Sequence, residues 1–173
     1  MISYSGIGSR EAPEWILIYM QAVARWLGLK GYNLRSGHAL GSDFAFEIGC
    51  DEVQGSKEIF IPWIGFNGSN SHLVANKELT FPVASKYHKY WDTLKETTKL
   101  LMGRNCNQVL GKELNDPVKF VLCWTKNGNG EGGTGQAIRI ALDYGIPIFD
   151  MGIYYNIEDL KKGFKLFCTT LNI

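Results

Sequence analysis

Residues 118–124, VKFVLCW, carry a single charged side chain in a run of seven. A stretch this apolar and this short reads as a strand buried on both faces, the kind found in a parallel sheet with helices packed on each side. The rest of the chain supplies the alternation such a sheet needs. ISYSG, YNLR, KEIFIPW and IPIFDM read as four further strands. Helical stretches lie between them: EWILIYMQAVARWLGLKG, SDFAFEIGC, a long segment from about Val83 to Leu110 with a break near Gly103, and TGQAIRIALDYG. In the first of these helices Ile16, Met20, Val23, Ala24 and Leu27 form one apolar stripe. Pro13 suits its first turn and Gly31 its stop. Asn156 is placed to cap a last helix, IEDLKKGFKLF, with Asp159 at the reciprocal position. Residues 64–80 are polar and without period and read as a long surface loop. The expectation is one α/β domain over residues 1–173. Its fold would be Rossmann-like and doubly wound, with a mostly parallel five-stranded sheet and helices on both faces.

Charge and cysteine usage narrow the function classes. Eighteen Lys and Arg against 17 Asp and Glu give a formal charge of +1, with no basic run longer than Lys161-Lys162. A dedicated nucleic-acid module would carry a larger electrostatic footprint. Cys50, Cys106, Cys123 and Cys168 form no CxxC pair. They read as free, buried thiols in a reducing compartment rather than zinc ligands. No stretch is apolar for long enough to span a bilayer. The first residues, MISYSGIGSR, lack the pattern of a signal peptide, so the expected location is cytoplasmic.

Three presumed strands run into small, polar turns that open helices: Gly6-Ile7-Gly8-Ser9-Arg10, Ser36-Gly37-His38-Ala39-Leu40-Gly41-Ser42-Asp43, and Gly128 through Gly135. In an open parallel sheet, ligands sit at the carboxyl ends of the strands where strand order reverses. Glycines let the backbone approach a ligand, and unpaired amides at helix starts attract phosphate. Ser9, Ser36 and Thr134 add hydroxyls, and Arg10 adds a forked charge. Asp43 and Glu47, four apart, could accept from ribose hydroxyls or simply complement the helix dipole and face solvent. His38 reads either as a base-stacking residue or as a solvent-facing turn residue. Trp124 follows the fourth strand and could wall a base slot, whereas Trp63, Phe66 and Trp91 read as ordinary packing aromatics. Arg104 follows an apolar pair on its helix and should either pair with a buried acid or reach the ligand. The candidate ligand-binding set is therefore Gly6, Gly8, Ser9, Arg10, Ser36, Gly37, His38, Gly41, Asp43, Glu47, Arg104, Trp124, Gly132, Gly133, Thr134 and Gly135.

GIGSR, LRSGHALGSDFAFEIG and GGTGQAIRIALDYGIPIF, in that order, resemble the SLOG superfamily of Rossmann-like nucleotide-binding domains. The resemblance is nearest to its DNA processing protein A (DprA) branch, with its VGSR-type turn and SGxAxGIDxxAHxxA segment. Residues 64–115 match little. The resemblance implies three kinds of function. DprA proteins bind single-stranded DNA, LOG enzymes cleave the N-glycosidic bond of nucleoside monophosphates, and other SLOG domains sense NAD- or ADP-ribose-derived signals. The LOG motif PGGxGTxxE, laid on EGGTGQAIR, puts Gly132, Gly133 and Gly135 on its glycines but Arg139 on its glutamate. An oxocarbenium-like transition state needs a carboxylate near it, so the expectation is gripping without turnover and no catalytic residue, metal or cofactor is assigned.

For single-stranded DNA, the alternative partner, the chain offers Arg10, Lys30, Arg35 and Lys126 near the presumed sheet edge. The resemblance further implies a homo-oligomer. If the chain is phage-encoded, it also implies a counter-defence role in sequestering an immune nucleotide.

Overall fold

A computed structural model describes all residues, Met1–Ile173. Six strands run in the order β1 Ser3–Gly6, β2 Asn33–Ser36, β3 Lys57–Ile61, β4 Leu73–Val74, β5 Val121–Cys123 and β6 Ile148–Asp150. Between and after them lie α1 Glu14–Leu29, α2 Ser42–Asp51, α3 Lys77–Ala84, α4 Glu96–Leu110, α5 Gly132–Asp143 and α6 Ile157–Leu171. The strands form one sheet in the order β4-β3-β2-β1-β5-β6, and every pairing is parallel. The fold is therefore α/β, Rossmann-like and doubly wound. From β1 the chain builds outward through β2, β3 and β4, then returns to lay β5 on the other side of β1. The order reverses between β1 and β5, so their carboxyl ends bound the crevice where ligands bind in such sheets.

The strand buried on both faces is β5. Phe120, Leu122 and Trp124 point into a core formed with α1, α2 and α6, among Met20, Phe46 and Phe164. Val121 and Cys123, of opposite parity, point into a second core with α4 and α5, among Val109, Leu110 and Ile140. The α1 stripe is buried as its spacing requires. Pro13 sits at the cap, one residue before the helix, and Gly31 follows its end with φ +80°. Asn156 Oδ1 accepts from the Asp159 amide at 2.9 Å.

Two expectations fail in the middle of the chain. The 64–80 segment is not one loop: it holds a 3-10 turn at Phe66–Gly68, the unexpected strand β4 and the start of α3. Strand β4 is two residues long, too short for any alternation to show. The long helical segment breaks between Ala84 and Glu96 rather than at Gly103. Gly103 lies inside α4 where α3 crosses it, and a Cβ there would fall 2.5 Å from Thr80 Oγ1.

Candidate functional site

The three glycine-rich turns converge on a cavity of about 560 Å³. Ile7 to Glu11 of the β1–α1 turn form one wall, and Ala39 and Leu40 of the β2–α2 turn adjoin it. The start of α5, Glu131 to Thr134, forms the opposite wall, and Leu101, Met102, Arg104, Asn105 and Gln108 of α4 complete the enclosure. Phe66 and Asn67 also border it, and the Asn67 side chain donates to the His38 carbonyl at 3.1 Å.

At the floor lies a buried ion pair. Asp43, in the first turn of α2, is 3% exposed and Arg104 is 6% exposed. Arg104 Nη1 donates to Asp43 Oδ2 at 3.2 Å and to the Gly37 carbonyl at 2.7 Å. The same Asp43 oxygen accepts from Gln108 Nε2, and the other accepts from the Gly8 amide, each at 3.2 Å. Burial pushes the Asp43 carboxyl up, against the opposing pull of Arg104, Gln108 and the Gly8 amide. Burial likewise pushes the Arg104 guanidinium down. A buried pair of this kind costs desolvation that its attraction only partly repays, which makes it weak as a source of stability. It is strong as a positioning device, because Asp43 is fully engaged in holding Arg104 and the Gly8 turn. Arg104 itself is not saturated: only Nη1 is hydrogen-bonded, Nη2 has no partner, and Nε is enclosed without one. The guanidinium Cζ lies 5.8 Å from the Phe66 ring centre.

The α5 wall is built with equal care. Asp150 at the end of β6 accepts from the Thr125 and Gly152 amides at 2.9 and 2.8 Å and from the Thr125 hydroxyl. Thr125 Oγ1 in turn accepts from the Gly130 amide at 3.0 Å, which pins the β5–α5 turn. Asn105 Nδ2 donates to the Gly133 carbonyl at 3.0 Å and so fastens the first turn of α5 to α4. The amides of Gly132, Gly133 and Thr134 have no intrahelical partner, and the N-cap residue Glu131 makes no capping bond to them. Three donors and the positive end of a helix therefore face the cavity.

Of the residues expected to bind, Gly8, Ser9, Arg10, Asp43, Arg104, Gly132, Gly133 and Thr134 line this cavity. The others stand behind it. A Cβ at Gly6 would strike Phe46 and Leu34, one at Gly41 would strike the Arg10 backbone, and one at Gly135 would overlap the Gly130 carbonyl. Gly37 gives its space to Arg104. Ser36 Oγ donates to the Gly6 carbonyl at 2.6 Å, tying β2 to β1. Glu47 is buried; it bonds His38 Nδ1 at 3.0 Å and pairs with Lys57. Trp124 packs in the core, because strand parity sets it beside Phe120 and Leu122. Among cavity residues outside the expected set, Asn105 and Gln108 fall on the Arg104 face of α4, a signal the helix period offered. Phe66 and Asn67 come from a segment with no period to read.

Arg139, in the place of the LOG glutamate, is exposed on α5, and its Nε donates to the Tyr87 carbonyl at 3.0 Å. The basic residues considered for DNA are dispersed. Arg35 is buried against Glu58 and Asp116. Lys30 stacks over Trp26 beyond the end of α1, at the opposite edge of the sheet from the cavity. All four cysteines are free and buried. No cluster of three or more metal-ligating side chains is present. No helix is long and apolar enough to cross a membrane.

No protein-family model matches the sequence, and a search of curated proteins returns no match. Solved structures do match in fold. The Moco carrier protein of Chlamydomonas rheinhardtii is similar over 99% of this chain and 87% of its own, with a TM-score of 0.54 and 13% identity. DNA processing protein A of Helicobacter pylori, described for its single-stranded DNA binding mode, is similar over 86% of this chain, with a TM-score of 0.57 and 18% identity. This chain spans 64% of that one's length. Identities this low establish a shared Rossmann-like fold and nothing finer.

Proposed function

We propose that this protein binds a small, phosphate-bearing nucleotide ligand in the cavity and holds it without cleaving it. The observation that carries the reading is Arg104: a buried cation bonded through Nη1 alone, which leaves Nη2 without a partner on the same cavity lining as the three free amides of the α5 N-terminus. A charged donor and a helix start converging on one space suit an anionic group. Phe66, Leu40, Leu101 and Met102 add apolar surface for a ring system.

The carboxylates support holding rather than turnover. Asp43 has its oxygens committed to Gly8, Arg104 and Gln108, while Glu11 and Glu131 are exposed. Arg139 faces Tyr87, away from the cavity. A fold neighbour that is a carrier protein supports the same reading, and a protein that keeps its ligand intact has the chemistry a sequestering role needs.

Single-stranded DNA is the second reading, supported by the fold likeness to the Helicobacter pylori protein. Isothermal titration at two salt concentrations separates the two. Adenosine monophosphate or ADP-ribose in the pocket should lose little affinity between 50 and 200 mM salt. A DNA groove making six or more phosphate contacts would lose about a thousandfold. Steep salt dependence with oligonucleotide and no binding of either nucleotide would overturn the pocket reading.

A further inference from the structure

The charge balance of the cavity restricts which phosphates it can take. Two cations line it, Arg10 and Arg104, against three anions, Glu11, Asp43 and Glu131. Arg104 is already paired with Asp43. Arg10, Glu11 and Glu131 enter no ion pair, and all three are exposed. Arg139, further along α5, is turned to the Tyr87 carbonyl and neutralises none of them. Glu131 matters most, because it is the N-cap residue of the helix whose amides are free, and its carboxylate makes no capping bond. Any phosphate on those amides therefore binds next to an acidic residue whose charge no partner neutralises.

We infer that the site selects a phosphate carrying one negative charge, a phosphodiester as in cyclic or bridged nucleotides, over a terminal phosphomonoester. The inference rests on the nucleotide reading above and narrows it. A diester satisfies the α5 amides and the spare Arg104 donor with one charge at any pH near neutral. A monoester takes a second charge as pH rises through about 6, and that charge meets a lining on which the exposed carboxylates of Glu11 and Glu131 outnumber the one unpaired cation, Arg10.

The test uses adenosine 5′-monophosphate and its methyl ester, two probes that share base, sugar and phosphate position and differ in one ionisation. Binding of both to the full chain is measured at about pH 8 and about pH 5.5, with the ester correcting for any titration of the protein. At the higher pH the monoester should bind at least about fivefold more weakly than the ester, from one added like-charge contact. At the lower pH the gap should close. In Glu131→Gln, an exposed position, the gap at pH 8 should narrow.

A monoester that binds as tightly as the ester at pH 8, or a gap that Glu131→Gln leaves unchanged, overturns the inference and leaves the nucleotide reading standing. Failure of both probes to bind the native protein at millimolar concentration removes the nucleotide reading itself, and the inference with it.

Discussion

Arg104 occupies the space that a side chain at Gly37 would need. A Cβ at Gly37 would overlap the Arg104 guanidinium and lie 2.6 Å from Gln108 Nε2, and the Gly37 carbonyl is itself an acceptor for Arg104 at 2.7 Å. The glycine of the second turn thus acts through an arginine 67 residues further along the chain. Gly37→Ala should cost about 1–3 kcal/mol by overpacking and should weaken nucleotide binding at least about tenfold by displacing the guanidinium. Urea unfolding and titration calorimetry on the same variant read the two effects separately.

Asp43→Asn leaves the Arg104 charge buried without its partner, and the expected cost is about 3–5 kcal/mol. Adding Arg104→Met to that variant should restore much of the stability while abolishing binding. A double-mutant cycle by chemical denaturation gives the coupling, which should be well above the few tenths found for independent sites.

Arg139→Glu restores the carboxylate that the LOG motif places at this position. Because that side chain faces Tyr87 on the outside of α5, the variant should still release no free base from adenosine monophosphate. Chromatography of the reaction mixture after long incubation checks this, and accumulation of adenine would show that the position does reach the ligand.

The thiols should be inert in the native state. Burial pushes Cys106 up to about 12 and raises Cys50, Cys123 and Cys168 as well. Since the thiolate is the reactive form, a chromogenic disulfide reagent at pH 8 should label no cysteine quickly in folded protein. All four should react after denaturation.

The sheet was legible because β5 is apolar at every position of both parities, a pattern only a doubly covered strand needs. The three turns were legible because glycine and a following helix start are local features. Arg104 was singled out by its place after an apolar pair, yet its partner Asp43 is 61 residues away and no spacing rule joins them.

Trp124 shows the opposite case. Its parity with Phe120 and Leu122 already assigns it to the core, and its position after the strand suggested a wall that parity denies it. His38 and Glu47 were weighed separately, but they bond each other, an arrangement that depends on the positive φ of His38 in the turn. Phe66 reaches the cavity from a segment whose two-residue strand is held only by pairing with β3, a tertiary contact with no sequence period.

The central claim is that the cavity retains an intact nucleotide, and mass spectrometry of what copurifies with the protein tests it most directly. Heat-denatured wild-type protein should release a nucleotide of unchanged mass, and Arg104→Met purified in parallel should release none. Recovery of a cleaved product, or no nucleotide at all alongside tight, steeply salt-dependent binding of single-stranded DNA, would contradict the account.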